Sequence, residues 1–391
     1  MINETSYFYG SQRSAIRELF EYGNRKRKEL GEENVFDFSL GNPSVATPDE
    51  VQDAFRSALS TIDPVLLHGY TSAQGSYEAR AAIARVLSDR NAMEIRPEDL
   101  YLTCGAAASL VSSLGALTVN SESEFLAVAP YFPEYKVFAE CAGARFSVVP
   151  PEEPSFGINF TALEAMLNEH TQGVIINSPN NPSGVIYSVE ELSRLAALLR
   201  RKSAEFGHPI YVISDEPYRE LYYTEEAPAF LPELYSDTLI CYSYSKSLSL
   251  PGERIGYVCV PPCVTDHDAV YAAVAGTARR FGYVCAPSLL QHVVANCASV
   301  LPDLTVYRRN RDLLYNALTE MGYDCVHPDG AFYLFVRSPE GEGKAFSARA
   351  KEKNLLVVPG GGFGAEAYVR IAYCVETEMI ERALPIFRSL L

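Results

Sequence analysis

The sequence predicts an α/β protein whose large domain contains a mainly parallel sheet of seven strands between helices. Through the middle of the chain, short apolar segments alternate with longer amphipathic segments, which is typical of a parallel sheet covered by helices. After Pro287 the chain returns to helices with three short strands. We therefore expect a large domain over residues 46–287 and a smaller α/β domain formed by both chain ends, residues 1–45 and 288–391.

Local signals mark the individual elements. Two capping boxes predict helix starts, because Thr47 is followed by Glu50 and Ser188 by Glu191, so that each cap oxygen can satisfy a free N–H group. The N-terminal ~30 residues predict one helix that ends at Gly31. The predicted strands of the sheet are Tyr101–Cys104, Phe125–Ala129, Phe146–Val149, Val174–Asn177, Tyr211–Ser214, Leu239–Tyr242 and Ile255–Val260.

Length and charge exclude several classes of protein. A chain of 391 residues with 48% hydrophobic residues is suited to one large and one small packed domain. The net charge of -16 argues against electrostatic binding to nucleic acid or to an anionic membrane. Met1–Gly10 lacks the pattern of a signal peptide, and apolar stretches such as Leu110–Val119 are too short to span a membrane. We expect a cytoplasmic protein without nucleic-acid or membrane partners.

The nine cysteines do not indicate a disulfide framework, since their number is odd and they are scattered along a long chain. Cys259, Cys263 and His267 have a spacing that metal ligands can use. However, no fourth ligand is nearby, and Pro261 with Pro262 interrupts any helix between them. Because a structural zinc site needs four ligands, we expect no metal.

The segment Tyr242–Gly256 is the most informative part of the sequence, because Lys246 follows an apolar strand and is surrounded by hydroxyl groups. A lysine held near a cationic cofactor can lose its proton and attack a carbonyl. Ser243, Ser245 and Arg254 could bind a phosphate, the serines as neutral donors and the arginine as a fork that matches anionic oxygens. The alternative is an ordinary surface turn with a solvated lysine and arginine.

Asp215 ends a strand that should be central and buried. A buried carboxylate is costly without a cationic partner, so a protonated pyridine nitrogen would account for it. Tyr218, three residues further on, could donate a hydrogen bond to the phenolate oxygen of the same cofactor. The alternative is that Asp215 caps the next helix.

Two further strand ends carry candidate ligand-binding residues. Asn181 follows a predicted strand at the carboxyl edge where open α/β sheets bind ligands, although turns rich in Asn, Pro and Gly also form for backbone reasons alone. Cys104, Gly105 and Ala106 lie between a strand and a helix, whose free N–H groups and dipole favour a phosphate. The alternative for these small residues is close helix packing without a ligand.

Together these segments resemble the class I/II aminotransferases, the fold-type I pyridoxal-phosphate-dependent enzymes of the aspartate aminotransferase superfamily. Asn181, Asp215, Lys246 and Arg254 follow one another in the order and spacing of that family, each near a strand end. The resemblance covers nearly the whole chain, and it implies pyridoxal 5'-phosphate as the cofactor.

The resemblance implies a role for each residue of the cofactor site. Lys246 would be the Schiff-base lysine and the proton shuttle, and Asp215 would pair with the pyridine nitrogen. Asn181 and Tyr218 would hold the phenolate oxygen, and Phe132 would stack on the ring face. The residues implied to surround the phosphate are Cys104, Gly105, Ala106, Ser243, Ser245 and Arg254.

The same resemblance implies how substrate binds. Arg370 would clamp the substrate α-carboxylate through a two-point ion pair, with Gly41 in a loop over the substrate and Asn181 beside it. Tyr70 would reach the phosphate of a neighbouring subunit, which implies a homodimer with shared active sites. No basic residue stands at Ala106, directly after Gly105, where some family members bind a dicarboxylic side chain, and this argues against simple aspartate specificity.

The implied reaction moves an amino group from an L-amino acid to a 2-oxo acid. A lyase or decarboxylase with the same cofactor is the alternative, because fold and lysine do not determine the reaction. A non-enzymatic binding protein on this fold is a third hypothesis. Arg279 and Arg280 could still supply a charge for an acidic side chain, although adjacent arginines are more often a solvated face.

Overall fold

The computed structural model describes residues 1–11 and 14–391 of the chain. Its strands are β1 (Phe36–Asp37), β2 (Leu100–Thr103), β3 (Glu124–Val128), β4 (Arg145–Val149), β5 (Thr171–Asn177), β6 (Tyr211–Asp215), β7 (Thr238–Ser243), β8 (Gly256–Cys259), β9 (Asp324–Val326), β10 (Tyr333–Arg337), β11 (Leu355–Leu356), β12 (Val358–Pro359) and β13 (Tyr368–Ala372). Its helices are α1 (Glu4–Ser11), α2 (Ala15–Leu30), α3 (Asp49–Thr61), α4 (Pro64–Leu67), α5 (Tyr77–Arg90), α6 (Ala106–Leu117), α7 (Glu134–Cys141), α8 (Phe160–Met166), α9 (Val189–Phe206), α10 (Leu231–Leu234), α11 (Tyr244–Ser247), α12 (His267–Arg280), α13 (Ser288–Cys297), α14 (Thr305–Met321), α15 (Gly343–Glu352) and α16 (Thr377–Arg388).

Strands β2 to β8 form the predicted central sheet, in the spatial order β2-β8-β7-β6-β5-β3-β4. Strand β8 runs antiparallel to both of its neighbours, and the remaining pairs are parallel. All seven predicted strands are found at their predicted places, with ends that differ by at most three residues. The α/β class with a mainly parallel seven-stranded sheet is therefore confirmed.

Helices cover both faces of this sheet. Successive residues of a strand point to opposite faces, and here the side chains on both faces are apolar and need cover. Leu239 and Cys241 of β7 pack in the same cluster as Leu110 of α6 and Val274 of α12. Their neighbour Ile240 packs on the opposite face with residues of α5 and α13. The carboxyl ends of β5, β6 and β7 lie at one edge of the sheet, because the three strands are parallel neighbours.

The C-terminal part of the chain forms two smaller sheets, one of which includes the N-terminal strand β1. Strands β12, β13, β10 and β9 form a four-stranded antiparallel sheet in that order. Near the N-terminus, β1 pairs in parallel with β11, with Phe36 opposite Leu355. The prediction of three strands after Pro287 is wrong, since the structure has five. Strands β11 and β12 contain only two residues each, too few to leave an alternating pattern in the sequence.

Helix boundaries confirm one predicted cap and correct another. Ser188 and Glu191 form the predicted capping box at the start of α9. The box at Thr47 is wrong: α3 has Pro48 at its N-cap, and the Thr47 hydroxyl donates to the Ser249 carbonyl instead, at 3.2 Å. Because that hydroxyl bonds to a segment distant in sequence, the first turn of α3 has no side-chain cap.

The N-terminal helix was predicted as one element, and this is also wrong. Helix α1 ends at Ser11, and Ser14 starts α2 as its N-cap, with its hydroxyl accepting from the Arg17 N–H group at 3.3 Å. Residues 12–13 lie outside the described residues. Gly31 ends α2 as predicted, since a positive φ of 91° at the C-cap suits glycine.

The division into two domains stays a prediction. Helix α13, which begins just after the predicted boundary, packs with helices α3 and α5 in one cluster that includes Val51, Ile83 and Val293. This packing favours a boundary after α13.

All nine cysteines are free thiols. The described residues contain no group of three or more His, Cys, Asp and Glu side chains that could hold a metal ion. Cys259 is buried in β8, Cys263 is exposed, and His267 lies 3.1 Å from Asp99. Among the described helices, none combines the length and the apolar character that crossing a membrane requires.

Candidate active site

One cavity of about 290 Å³ lies at the carboxyl edge of β5, β6 and β7, beside the first turn of α6 and against β10 and β13. It collects polar side chains that are far apart in sequence. The site residues predicted from the sequence that line it are Gly41, Ala106, Phe132, Asn181, Asp215, Tyr218, Ser243, Ser245, Lys246, Arg254 and Arg370.

Lys246 lies in the short helix α11, directly after β7, so the strand end sets its position. Its Nζ donates to the Gly41 carbonyl at 2.6 Å and lies 5.5 Å from the ring centre of Phe332. Burial lowers the pKa of Lys246 to about 8, and the cations of Arg370 and Arg254 act in the same direction. No described carboxylate lies within ion-pair distance of it, so much of its amine is neutral and nucleophilic near that pH.

Asp215 is the last residue of β6 and is buried. Its Oδ2 accepts a hydrogen bond from the Tyr135 hydroxyl at 2.5 Å, whereas its Oδ1 has no partner among the described residues. Burial raises the pKa of Asp215 to about 7, and the hydrogen bond from Tyr135 opposes that rise. A buried acceptor without a donor marks the place where a cationic N–H group of a ligand would fit.

Arg370 of β13 is only 2% exposed. Its Nη1 donates to Oδ1 of Asn181 at 2.9 Å and its Nη2 to the Ser39 carbonyl at 2.6 Å. The guanidinium also lies 4.5 Å from the ring centre of Tyr333 and 5.1 Å from that of Phe363. None of its described neighbours is a carboxylate in ion-pair contact, and its Nε has no described partner. A buried cation surrounded by neutral groups is suited to an anionic ligand.

The turn between β2 and α6 is built for an anion. Gly105 is the N-cap of α6 with a φ of 86°, and a Cβ there would lie 2.6 Å from Nη2 of Arg254. Glycine is therefore required both by the backbone and by the guanidinium above it. Arg254 Nη1 donates to the Ser245 hydroxyl at 3.2 Å, and that hydroxyl lies 2.7 Å from the Ser243 hydroxyl. The helix N-terminus, the guanidinium and two hydroxyls together favour a phosphate.

Comparison with known proteins decides the family. The family model described as "Aminotransferase class I and II" matches residues 33–387 of the chain. The chain belongs to the class I and II aminotransferases. It is therefore an enzyme that transfers amino groups.

Named relatives and a solved structure agree with this family. An aspartate aminotransferase of Pyrococcus abyssi is 30% identical over 388 residues, which cover 95% of this chain and 94% of that protein. The aromatic-amino-acid aminotransferase 2 of Thermococcus litoralis is 28% identical over 388 residues, with coverage of 95% and 94%. The crystal structure of an amino transferase from Eubacterium rectale superposes with a TM-score of 0.97 at 52% identity, over 100% of this chain and 98% of that one.

The aminotransferase cavity also contains residues that the sequence did not single out. Tyr333 of β10 places its hydroxyl 2.9 Å from that of Tyr218 and its ring under Arg370. A Cβ at Gly41 would lie only 1.9 Å from the Tyr333 hydroxyl, which explains the glycine there. Tyr333 gave no signal because a tyrosine in an apolar strand is typical of core packing. The other cavity residues not predicted are Ile16, Leu40, Ala107, Leu110, Asn177, Pro217 and Pro251.

Some predicted residues of the aminotransferase lie beside or away from the cavity. Cys104 and Gly105 adjoin it through the turn before α6. Tyr70 lies on the surface with its side chain fully exposed. Arg279 and Arg280 are exposed at the end of α12 and do not line the cavity, in agreement with a solvated face.

Proposed function

We propose that this aminotransferase uses pyridoxal 5'-phosphate in the described cavity to move an amino group from an L-amino acid to a 2-oxo acid. One observation carries the proposal: Asp215, Lys246 and Arg370 all line the same cavity, and none has an ion-pair partner among the described residues. Buried charges are normally paired, because taking them out of water without a partner is costly. The cavity therefore fits ligands that bring one cationic group and several anionic ones.

The residues present fit this cofactor at each of its polar groups. The free Oδ1 of Asp215 would accept from the protonated ring nitrogen, and the turn at Gly105 with Arg254 would bind the phosphate. Tyr218 and Asn181 would face the phenolate oxygen. The further proposed cofactor contacts are Cys104, Ala106, Phe132, Ser243, Ser245 and, from a second chain, Tyr70. When bound, the cofactor would be held by Lys246 until the substrate amine displaces that lysine, and it would then supply an electron sink that loosens a bond at the substrate Cα.

The side chains of the protein would do the rest. Arg370 would hold the substrate α-carboxylate through its fork, with Asn181 and the backbone of Gly41 beside it. The Nζ of Lys246, with a pKa lowered by burial to about 8, would accept the proton from the substrate Cα and deliver it to the cofactor carbon that receives the amino group. Phe132 and Tyr333 would exclude water from this proton transfer.

The function is tested by the absorbance spectrum of the purified protein with bound pyridoxal phosphate. We expect a visible band that disappears when a donor amino acid is added without an acceptor and returns when a 2-oxo acid is added. The reversal follows because transamination leaves the cofactor aminated until an acceptor resets it. Absence of any cofactor band would overturn the proposal, whereas release of ammonia or carbon dioxide would favour the lyase or decarboxylase alternative.

We also propose a homodimer with shared active sites. Tyr70 is 100% exposed, and Val65 and Leu66 of the preceding helix α4 are 80% and 72% exposed. Apolar side chains that cluster on a surface often mark a contact with another chain. Tyr70 does not line the cavity of its own chain. It can therefore contact a cofactor phosphate only in the cavity of a second chain. Nine free cysteines support a reducing compartment, so we propose a cytoplasmic location.

Mixed dimers test the shared site. We expect a dimer of one Lys246→Ala chain and one Tyr70→Ala chain to recover about half of the wild-type activity, because one of its two sites combines an intact Lys246 with an intact Tyr70 from the other chain. The two chains carry different affinity tags, and doubly tagged dimers are purified and assayed. Dimers in which both chains carry Lys246→Ala serve as the control. Activity no higher than the mean of the two parent variants would mean that Tyr70 acts within its own chain or not at all.

A further inference from the structure

Tyr135 is the only described side chain that donates a hydrogen bond to the Asp215 carboxylate. It approaches Oδ2 from the protein core, since Tyr135 is 1% exposed and does not line the cavity, while Asp215 does. Oδ1 is left without a partner. One oxygen of the Asp215 carboxylate is thus bound by Tyr135 from the core, and the other is available to a ligand.

The position of Tyr135 is fixed by its surroundings. It lies in the first turn of α7, where its backbone N–H group donates to the Phe132 carbonyl at 3.1 Å. Its ring meets the Phe132 ring edge-on, with centres 5.7 Å apart, and packs in the cluster that contains Ala127 and Cys241. A fully buried phenol held in this way has little freedom to turn its hydroxyl to another acceptor.

The hydrogen bond also affects the charge of Asp215. Burial raises the pKa of this carboxyl, and a donor to the charged form acts in the opposite direction. Without the hydroxyl, the carboxyl would more readily bind its own proton and would then be a poorer partner for a protonated ring nitrogen. Geometry and charge therefore point to the same role.

We propose that Tyr135 is a positioning residue that orients Asp215 and keeps it ionised for the ring nitrogen of the cofactor. This inference rests on the proposed function, because it concerns the partner of the bound cofactor. Tyr135 itself touches neither cofactor nor substrate. A purely structural role, in which Asp215 only satisfies a buried hydroxyl, is the opposing explanation.

The test compares the binding of two ligands to the apoprotein. One is pyridoxal phosphate, and the other is deazapyridoxal phosphate, in which a carbon replaces the ring nitrogen. We expect Tyr135→Phe to raise the dissociation constant of pyridoxal phosphate about 10-fold or more, as for a lost hydrogen bond to a charged group, and to leave that of the analogue within about 2-fold. Equilibrium dialysis with absorbance detection measures both constants without reference to turnover.

A matched control is Tyr235→Phe, which removes another buried hydroxyl, bonded to the Ile210 carbonyl at 2.6 Å and remote from the cavity. We expect it to change neither constant. If Tyr135→Phe weakens both ligands equally, or neither, the positioning role is overturned. Thermal unfolding shows whether each variant is folded. If Tyr135→Phe is not, Tyr135→His retains a ring N–H donor and must keep the preference for pyridoxal phosphate.

Failure of the inference and failure of the proposed function give different results. If the wild-type protein binds neither ligand, the proposed cofactor is wrong. If it binds both equally well and still transaminates, the function stands, but the pairing of Asp215 with a ring nitrogen, and with it the role of Tyr135, is overturned.

Discussion

Lys246→Ala is expected to lower kcat by about 10⁴-fold or more. The variant loses both the nucleophilic amine and the group that moves the proton, and general acid–base catalysis alone contributes about 10²- to 10⁴-fold. Steady-state assays with the best donor measure the loss.

In the wild-type apoprotein, covalent capture of pyridoxal phosphate should become faster as the pH rises through about 8, because the neutral amine is the reactive form.

The matched control for Lys246→Ala is Lys202→Ala. Lys202 also makes a short polar contact, at 2.8 Å to Glu205, but lies on α9 away from the cavity. We expect kcat of this control to stay within about 2-fold of the wild-type value, as for most surface substitutions. Lys246→Ala with more than about 1% of the wild-type kcat would contradict a role for this lysine in acid–base catalysis.

Arg370→Met is expected to lower kcat/KM by about 10³-fold while leaving the apoprotein as stable as before or more stable. Two charge-assisted hydrogen bonds to a substrate carboxylate, each contributing roughly 1.5–3 kcal/mol, account for the loss of activity. The free energy of unfolding of the apoprotein should stay the same or rise, because the substitution removes a buried cation that has no described anionic partner. Steady-state kinetics and thermal unfolding of the apoprotein measure the two effects.

Arg219→Met is the matched control for stability. Arg219 is a largely buried arginine, with a side chain that is 13% exposed, but it is paired with Glu216 at 2.9 Å. Its replacement leaves that carboxylate unpaired and should therefore destabilise the protein clearly. Arg370→Lys keeps the charge but not the fork, so its kcat/KM should lie between those of wild type and Arg370→Met. If Arg370→Met destabilises the apoprotein as much as Arg219→Met, Arg370 has a structural role instead.

The parts of the fold and site that could be predicted are those in which neighbours in sequence carry the information. Each strand of the central sheet contains apolar residues, Asp215 is the last residue of one of them, and Lys246 lies three residues after the end of another. Because the carboxyl ends of parallel strands lie at the same edge of a sheet, these residues are expected to lie close together. The order and spacing of these residues carried the family resemblance, and that resemblance supplied Gly41, Phe132 and Arg370 in addition.

The parts that could not be predicted depend on contacts between distant segments. Tyr333 and Tyr135 have the local sequence of core residues, and only the packing of β10 and α7 brings their hydroxyls to Tyr218 and Asp215. In the same way, the two-residue strands β11 and β12 exist because of their partners and have no pattern of their own. The capping box predicted at Thr47 is wrong because the Thr47 hydroxyl donates to the carbonyl of Ser249, which is distant in sequence.

The pairing of β1 with β11 has a consequence for how the enzyme is made. Residues just after β1 supply the Ser39 carbonyl to Arg370 and the Gly41 carbonyl to Lys246, yet β1 has no strand partner until β11 exists. During translation the N-terminal segment must therefore wait, unpaired, while the ribosome makes nearly the whole chain. The central sheet can form earlier from contacts within its own segment. A nascent chain would thus acquire its cofactor edge first and the enclosed catalytic site only after the last strands leave the ribosome.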